Sequence, residues 1–250
     1  MTQPPEGRHT AREAGRILLV LALAMALLAL MLVLVLDRLD EVAPAPRGWA
    51  RPSRVSQLEQ LPLGPEDVVF LGASLVEHGE WSELLPELPV RNRGVAGDTV
   101  DDVLARIGPI VAARPRAVIV QVGLNDLLRG AAPAEVSARH RTLVQRVRSG
   151  SPDTRLVLVG LLPVRREGQP AETLAGQIRE VNGSLADLAN ELGARALDLG
   201  AAFADADGRL AEELTIDGVH LTGPGYLRWA EELRASGVLD GLDAPASDDG

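Results

Sequence analysis

The longest apolar run of the chain lies near its N-terminus, at residues 17–36. About 20 helical residues span the roughly 30 Å hydrocarbon core of a membrane. Arg8, Arg12 and Arg16 precede the run and acidic side chains follow it, which by the positive-inside rule leaves the N-terminus in the cytoplasm. The pattern predicts a retained transmembrane anchor that exports the rest of the chain. A cleaved signal peptide is the alternative, and it would export the same part.

The pattern around this run divides the rest of the chain into four segments. Residues 1–16 would form a short cytoplasmic N-terminus. Residues 37–64 contain scattered prolines and charges, which predict a linker with a short helix near its end. Residues 65–240 alternate apolar runs with helical patterns and predict the folded domain. Residues 241–250 are polar and predict a disordered tail.

Short apolar runs rich in β-branched residues predict the strands of the folded domain. They are nearly continuous, which is typical of parallel strands buried on both faces. The runs are Val68–Gly72, a short one near Val90, Ala117–Gly123, Leu156–Leu162 and Ala196–Leu199. The helical patterns between and after them are Asp98–Ile107, Pro133–Ser149, Ala171–Leu192 and Tyr226–Ala235. This alternation predicts an α/β fold, with an open parallel sheet covered by helices on both faces.

Composition narrows the classes of function. The 250 residues are 46% hydrophobic and 24% charged, as in globular proteins. A net charge of −10 and an aromatic content of 2% argue against a nucleic-acid partner. Disulfides, thiolate metal sites and cysteine nucleophiles are excluded because the chain has no cysteine. Every cationic side chain is arginine, so Schiff-base chemistry on a lysine is excluded as well.

Unusual polar residues follow the predicted strands in three places and recur in a late loop. In open parallel sheets, ligands bind beyond the carboxyl ends of the strands, so these residues are expected to meet at one edge. The four stretches are Gly72–Ser74, Asn92–Thr99, Gly123–Asp126 and Asp217–His220.

Together these stretches contain the groups that hydrolysis of an ester requires. Ser74 can supply a nucleophilic hydroxyl, His220 the base that takes its proton, and Asp217 the carboxylate that orients the imidazole. The backbone N–H groups of Ser74 and Gly94 and the side-chain amide of Asn125 can stabilise the oxyanion. This chemistry needs neither a metal nor a cofactor.

Each stretch also has a structural interpretation when it is considered alone. A serine after a strand is often a helix N-cap, and a glycine in a loop is often a turn residue. The Asn-Asp pair could cap the next segment, and DGVH could be a turn with an exposed histidine. The other histidines are His9, before the apolar run, and His78 and His140, on predicted helices.

The four stretches in this order resemble the SGNH hydrolases, also called the GDSL esterase/lipase family. "VVFLGAS", "NRGVAGDT", "VGLND" and "DGVHLT" are similar to the family's four sequence blocks. The resemblance implies a three-layer α/β/α flavodoxin-like fold with strand order 2-1-3-4-5. It also implies Ser74 as nucleophile, Gly94 and Asn125 as oxyanion donors, and His220 with Asp217 as the base and its partner.

The run "GEWSELLPELPVRNRGVAGDT" is similar to a subgroup of this family. The subgroup contains the catalytic subunits of platelet-activating-factor acetylhydrolase and bacterial sialate or sugar O-acetylesterases. One position departs from the family pattern, because Ala73 stands where an aspartate usually precedes the serine. Since the triad acid is assigned to Asp217, the mechanism does not depend on that aspartate.

These observations predict a membrane-anchored serine esterase whose catalytic domain lies outside the cytoplasm, in the periplasm or at the cell surface. The expected substrates are short-chain, acetyl esters of carbohydrate or envelope glycan. Three alternatives remain open on the same residues. They are a lysophospholipase or lipid acyl-esterase, an O-acetyltransferase, and a catalytically silent binding domain that keeps the fold.

Overall fold

The computed structural model describes residues 50–165 and 171–243, and six isolated positions between residues 21 and 31. The predicted anchor at residues 17–36 and the predicted tail at 241–250 lie largely outside the described residues. Within the described part of the chain, no helix is long and apolar enough to cross a membrane. Backbone contacts separate a unit ending at Ala50 from one beginning at Arg51, and the following description concerns the second unit.

Five parallel strands form one sheet in the order β2-β1-β3-β4-β5. At the carboxyl end of β1, Gly72 lies between Gly94 of β2 and Gln121 of β3, so three strand ends stand side by side. The strands are β1 (Val68–Gly72), β2 (Val90–Gly94), β3 (Ala117–Gln121), β4 (Arg155–Val159) and β5 (Arg195–Leu197).

Burial differs between the central and the edge strands. Every residue of β1 and β3 is buried, which explains why their sequences are continuously apolar and do not alternate. The edge strands β2 and β5 expose part of their residues and have the shortest apolar runs. The predicted strands are therefore confirmed, with ends shifted by at most three residues for the central three.

Ten described helices and one 3₁₀ turn connect the strands. The predicted linker contains α1 (Ala50–Gln60), which is longer than the short helix expected there. The next five helices are α2 (Ser74–Glu77), α3 (Trp81–Leu84), α4 (Val100–Arg106), α5 (Gly108–Ala113) and α6 (Leu124–Leu128). The remaining elements are α7 (Pro133–Gly150), α8 (Ala171–Leu192), α9 (Gly200–Phe203), the 3₁₀ turn Glu212–Leu214 and α10 (Gly223–Ala235).

Two apolar cores lie on opposite faces of the sheet. One core joins alternate residues of the strands to α2, α3, α9 and α10. The other joins the intervening strand residues to α4, α5, α6, α7 and α8. This arrangement is the predicted three-layer α/β/α fold, and the strand order is the predicted 2-1-3-4-5.

Four of the chain's six aromatic residues pack together behind the start of α2. Trp81 stacks on Phe70 with ring centroids 4.5 Å apart, and it meets Trp229 edge to face at 5.0 Å. Tyr226 lies 5.9 Å from the same indole. Trp81 and Tyr226 both donate hydrogen bonds to backbone carbonyls of α2. The cluster therefore fixes the helix that begins with Ser74.

Candidate active site

Ser74 lies at the carboxyl edge of the sheet, where β1 turns directly into α2. The turn is tight, because a Cβ built on Gly72 would lie 2.1 Å from the carbonyl oxygen of Gln121. Only glycine allows the backbone of β1 to approach β3 so closely. Ala73 follows as the N-cap, and Ser74 is the first residue of the helix. Its hydroxyl is consequently presented at the edge where the other strands end.

The loop that carries His220 is shaped by residues within the loop itself. Oδ1 of Asp217 accepts hydrogen bonds from the backbone N–H groups of Val219 at 3.0 Å and His220 at 2.8 Å. Thr215 receives the Gly218 N–H at 2.9 Å and donates to the His220 carbonyl at 2.8 Å. Gly218 has a φ of +84°, and a Cβ there would lie 1.7 Å from the carbonyl oxygen of Arg165. A side chain at this position would therefore displace the loop.

Ser74, His220 and Asp217 form a continuous chain of hydrogen bonds. Nε2 of His220 lies 3.0 Å from Oγ of Ser74, and Nδ1 lies 2.7 Å from Oδ2 of Asp217. The second contact makes Nδ1 the protonated nitrogen and leaves Nε2 as an acceptor facing the serine hydroxyl. The structure thus brings together three predicted residues that are up to 146 positions apart in sequence.

The Asp217 carboxylate is strongly stabilised in its ionised form. Partial burial acts to raise its pKa, but the hydrogen bonds from the His220 ring and from the backbone N–H groups of His220 and Val219 outweigh that effect. The pKa of Asp217 is lowered to about 2. The carboxylate can therefore hold the imidazole throughout the neutral and mildly acidic range.

Asn125 faces the site from the first turn of α6. Its side-chain Nδ2 donates to the carbonyl oxygen of Asp98 at 2.9 Å, which uses one of its two N–H bonds. The neighbouring Asp126 is buried and accepts from the Val100 N–H at 3.0 Å and from Arg139 at 2.8 Å. Asp126 therefore anchors α6 against α4 and α7, and Asn125 keeps one N–H available to a ligand.

Gly94 occupies a different position from the one expected of an oxyanion donor. Its N–H donates to Oδ1 of Asn92 at 2.9 Å. A Cβ on Gly94 would lie 2.1 Å from the backbone nitrogen of Glu77, so the glycine lets α2 cross β2 at close range. The Gly94 N–H is therefore already paired, and the glycine permits close packing of α2 on β2.

Gly97, three residues further on, is another candidate for the backbone N–H donor to the oxyanion, and sequence reasoning missed it. It has a φ of +82° and directly precedes Asp98, whose carbonyl holds the Asn125 amide. Its carbonyl accepts from Arg129 at 2.7 Å, whereas its N–H has no acceptor within the described ranges. The sequence signal was the glycine before an aspartate in "VAGDT", a pattern typical of an exposed left-handed turn.

A cavity of about 360 Å³ surrounds the Ser74 hydroxyl. Its lining includes Ala73, Asn125, Asp217 and His220, together with several apolar side chains. Gln121 lines the same cavity; the residue is only 3% exposed, and its carboxamide makes no hydrogen bond to any described residue.

The remaining described histidines lie outside the hydrogen-bonded chain. The His78 ring makes no hydrogen bond to it, but its centroid lies 5.7 Å from that of the His220 ring. His140 is buried in α7, with its ring nitrogens 2.9 and 3.2 Å from the carbonyl oxygens of Val136 and Val122. Burial lowers the pKa of His140, which favours the neutral ring. The His140 side chain therefore supports the backbone at the end of β3.

A larger cavity of about 530 Å³ lies beside the edge strand β5. Asn182 and Asp198 are among its few polar lining residues, and Asn182 is already bonded to both backbone groups of Leu161. It shares no lining residue with the cavity at Ser74. The cavity with the chemically competent groups is therefore the smaller one.

The sequence model of the GDSL-like Lipase/Acylhydrolase family matches residues 70–228, which contain all of these groups. The chain belongs to this family. It is a serine ester hydrolase, and the resemblance noted from the four sequence blocks is confirmed.

Two curated relatives and one solved structure illustrate the likeness. The chain is 35% identical over 167 residues to platelet-activating factor acetylhydrolase IB subunit alpha1 of Bos taurus, covering 64% of this chain and 70% of that protein. It is 30% identical over 174 residues to subunit alpha2 of Homo sapiens, covering 67% and 74%. The structure of a mutant of Axe2, an acetyl-xylooligosaccharide esterase from Geobacillus Stearmophilus, aligns with a TM-score of 0.59 and 21% identity, covering 73% of this chain and 98% of that one.

Proposed function

We propose that this chain is a membrane-anchored esterase that removes acetyl or similarly short acyl groups from carbohydrate or envelope glycan outside the cytoplasm. The observation that carries the catalytic part is the chain of hydrogen bonds from Ser74 through His220 to Asp217. In it a hydroxyl, an unprotonated ring nitrogen and an ionised carboxylate are aligned as nucleophile, base and orienting acid.

In the proposed reaction, Oγ of Ser74 attacks the ester carbonyl carbon while Nε2 of His220 takes its proton. The oxyanion that forms accepts hydrogen bonds from the Ser74 N–H and from the free N–H of Asn125. The intermediate collapses when His220 returns the proton to the alcohol oxygen, leaving the acyl group on Ser74. A water molecule, deprotonated by the same nitrogen, then releases the carboxylic acid and restores the serine.

We assign the second backbone donor to Gly97 in place of Gly94. The Gly94 N–H is already bonded to Asn92, and breaking that bond would cost the stabilisation it provides. The Gly97 N–H is unpaired in the described structure, and its loop is tied to Asn125 through the Asp98 carbonyl. Both features support a donor placed beside Asn125.

Two observations favour a short acyl group. The relatives are named for acetyl esters, as acetylhydrolase subunits and an acetyl-xylooligosaccharide esterase. Gln121 also lines the cavity at Ser74, and its carboxamide has no hydrogen bond to a described residue. A long apolar chain packed against this amide would leave it unsatisfied, at a cost of about 1–3 kcal/mol. An acetyl group is short enough to leave room for water there.

The proposed location depends on the apolar run at residues 17–36 and the arginines before it. A helix through this run would place the linker and the catalytic domain on the far side of the membrane. The prediction can be tested by expressing the full chain, fractionating the membranes and testing whether added protease reaches the domain in intact spheroplasts. Domain recovered in the soluble cytoplasmic fraction would contradict it.

The catalytic proposal is tested by substituting Ser74. We expect Ser74→Ala to abolish hydrolysis of p-nitrophenyl acetate and labelling by a fluorophosphonate probe, because both reactions need the activated hydroxyl. Ser149→Ala, on the exposed face of α7, is the matched control and should retain both activities. Wild-type turnover by folded Ser74→Ala protein would overturn the assignment.

A chain-length series separates the short-acyl proposal from a lipid acyl-esterase. We expect kcat/KM for p-nitrophenyl acetate to exceed that for the octanoyl ester in the wild type. Gln121→Leu should raise the octanoyl-to-acetyl ratio by roughly 5- to 100-fold, as expected from relief of about 1–3 kcal/mol. A wild type that prefers octanoyl esters would favour the lipid substrate, and an unchanged ratio in the variant would remove Gln121 from the explanation.

A further inference from the structure

Helix α1 lies in the segment predicted to be a linker, yet it is held against the catalytic domain. The helix buries none of its residues fully, so apolar packing alone does not account for its position. Two of its arginines bond to the end of β2 and to the turn that follows it. Arg93 of β2 donates back to the carbonyls of Leu61 and Pro62 at 3.2 and 3.4 Å. The segment is therefore attached through guanidinium groups at both of its ends.

Arg51 holds the far end of this turn. Its Nε donates to Oδ1 of Asp98 at 2.8 Å, and its Nη2 donates to Oδ1 of Asp102 at 3.0 Å. The Asp98 side chain is fully buried, and its other oxygen accepts from Nε of Arg106 at 2.7 Å. Two guanidinium groups from different helices thus fix the carboxylate of a residue whose carbonyl receives the Asn125 amide.

Arg54 holds the near end of the same turn. Its Nε donates to the Gly94 carbonyl at 3.2 Å, and its Nη2 donates to the Asn92 carbonyl at 3.4 Å. Its guanidinium also lies 4.0 Å from Glu77, whose carboxylate accepts the Ala96 N–H. Each end of residues 92–98 is consequently bonded to a different arginine of α1.

We propose that Arg51 and Arg54 are positioning residues for the ester hydrolysis, and that α1 acts through them as a clamp on residues 92–98. The clamp holds the Gly97 N–H and, through Asp98, the Asn125 amide where the oxyanion forms. This inference rests on the proposed function. The clamp would give helix α1, which follows the predicted anchor, a role in catalysis in addition to attachment.

The clamp is expected to affect catalysis more than stability. Exposed ion pairs such as Arg51–Asp102 contribute little to stability, and Asp98 keeps Arg106 when Arg51 is removed. Oxyanion donors, in contrast, lose much of their effect when they are displaced, because a shift of about 1 Å can cost on the order of 100-fold in rate. A small loosening of the turn therefore lowers kcat.

The test is the double variant Arg51→Gln/Arg54→Gln in the full chain. We expect kcat for p-nitrophenyl acetate to fall about tenfold or more, with KM changed less than about twofold. Its Tm should match that of Arg141→Gln, a control that removes a surface ion pair between α7 and Glu191 of α8. Unchanged kcat, or a loss of activity that follows a loss of folded protein, would overturn the clamp.

A double-mutant cycle with Asn125 distinguishes positioning from general destabilisation. If Arg51 acts through Asp98 and Asn125, Arg51→Gln should lower kcat by much less in an Asn125→Ala background than in the wild type. The same fold-loss in both backgrounds would show that Arg51 acts elsewhere. Arg54→Gln alone is a second variant with the same expected direction. Failure of the proposed function is distinguishable, because then the wild type itself would neither turn over esters nor label at Ser74.

Discussion

The two loops that meet at Ser74 are held in opposite ways. The loop carrying Asp217 and His220 is fixed mainly by its own side chains, through Asp217 and Thr215, with one backbone contact to Arg165. The turn at residues 92–98 is fixed by side chains from α1, α2, α4 and α6. The first loop (the local loop) is therefore held mainly by contacts within itself. The second (the tertiary turn) is held by contacts with other elements of the fold.

This difference decides how substitutions should act. Within the local loop, one carboxylate both shapes the backbone and orients the base, so its loss should be severe and confined to catalysis. The tertiary turn shares its support among several side chains, so removal of any single one should have a smaller effect. Three substitutions, from the largest expected effect to the smallest, examine this contrast.

The largest effect is expected from Asp217→Asn in the local loop. We expect kcat to fall on the order of 10⁴-fold, the loss found for this substitution in another Ser-His-Asp hydrolase, because the amide favours the wrong imidazole tautomer. The exposed Asp207→Asn is the matched control and should keep wild-type kinetics. A loss of less than tenfold would mean that the carboxylate is dispensable.

The pH profile sharpens this prediction. The pKa of Asp217 is lowered to about 2, so the carboxylate stays ionised when the pH falls through the range in which a histidine titrates. Above about pH 4 the acid limb of kcat/KM should therefore contain no proton uptake by Asp217, so its slope should not exceed one. A slope of two in this range would place the pKa of Asp217 well above about 2.

An intermediate effect is expected from Asn125→Ala, which removes one donor next to the tertiary turn. By analogy with oxyanion donors in other hydrolases, kcat should fall about 10²- to 10³-fold while KM changes little. Asn190→Ala on the exposed side of α8 is the control. An increase in KM at constant kcat would instead indicate a role in ground-state binding.

The smallest direct effect on chemistry is expected from Gly94→Ala, which tests the packing role of this glycine. The new methyl group would meet the backbone of Glu77 at 2.1 Å, so we expect unfolding free energy to fall by about 1–3 kcal/mol. Gly108→Ala is a suitable control, because a Cβ there meets nothing within 4 Å. Chemical denaturation measures the unfolding free energy of both variants. An unaltered stability together with a large loss of kcat would restore Gly94 as a donor.

The fold was predictable because its signals are repeated along the chain. Buried parallel strands such as Val68–Gly72 are continuously apolar, and long helices such as Ala171–Leu192 carry their own periodicity, so their bounds agree with the structure. The shorter elements were missed or displaced. Helix α5 begins with Gly108-Pro109, directly after the predicted helix Asp98–Ile107, because proline is accepted in a first helical turn.

The candidate site was predictable where its geometry is encoded locally. Asp217 and His220 are separated by three positions, and the carboxylate caps the loop between them, so a short motif specifies the pair. The choice between Gly94 and Gly97 could not be made in the same way. Both glycines lie in one short segment, and which N–H is free depends on Asn92 and Glu77, whose contacts are set by the crossing of α2 over β2.

The sequence by itself determined the layered α/β fold and the identity of the hydroxyl, imidazole and carboxylate at its edge, because these follow from periodicity and from short motifs. The order of the strands was implied by the family that those motifs resemble. Only the tertiary structure decided which backbone N–H groups remain unpaired and that the predicted linker carries a helix bonded to the turn at residues 92–98. The attachment of that helix arises from hydrogen bonds between residues more than 30 positions apart in sequence. No local pattern records such partners, since any arginine can satisfy any carboxylate or carbonyl that the fold brings within reach.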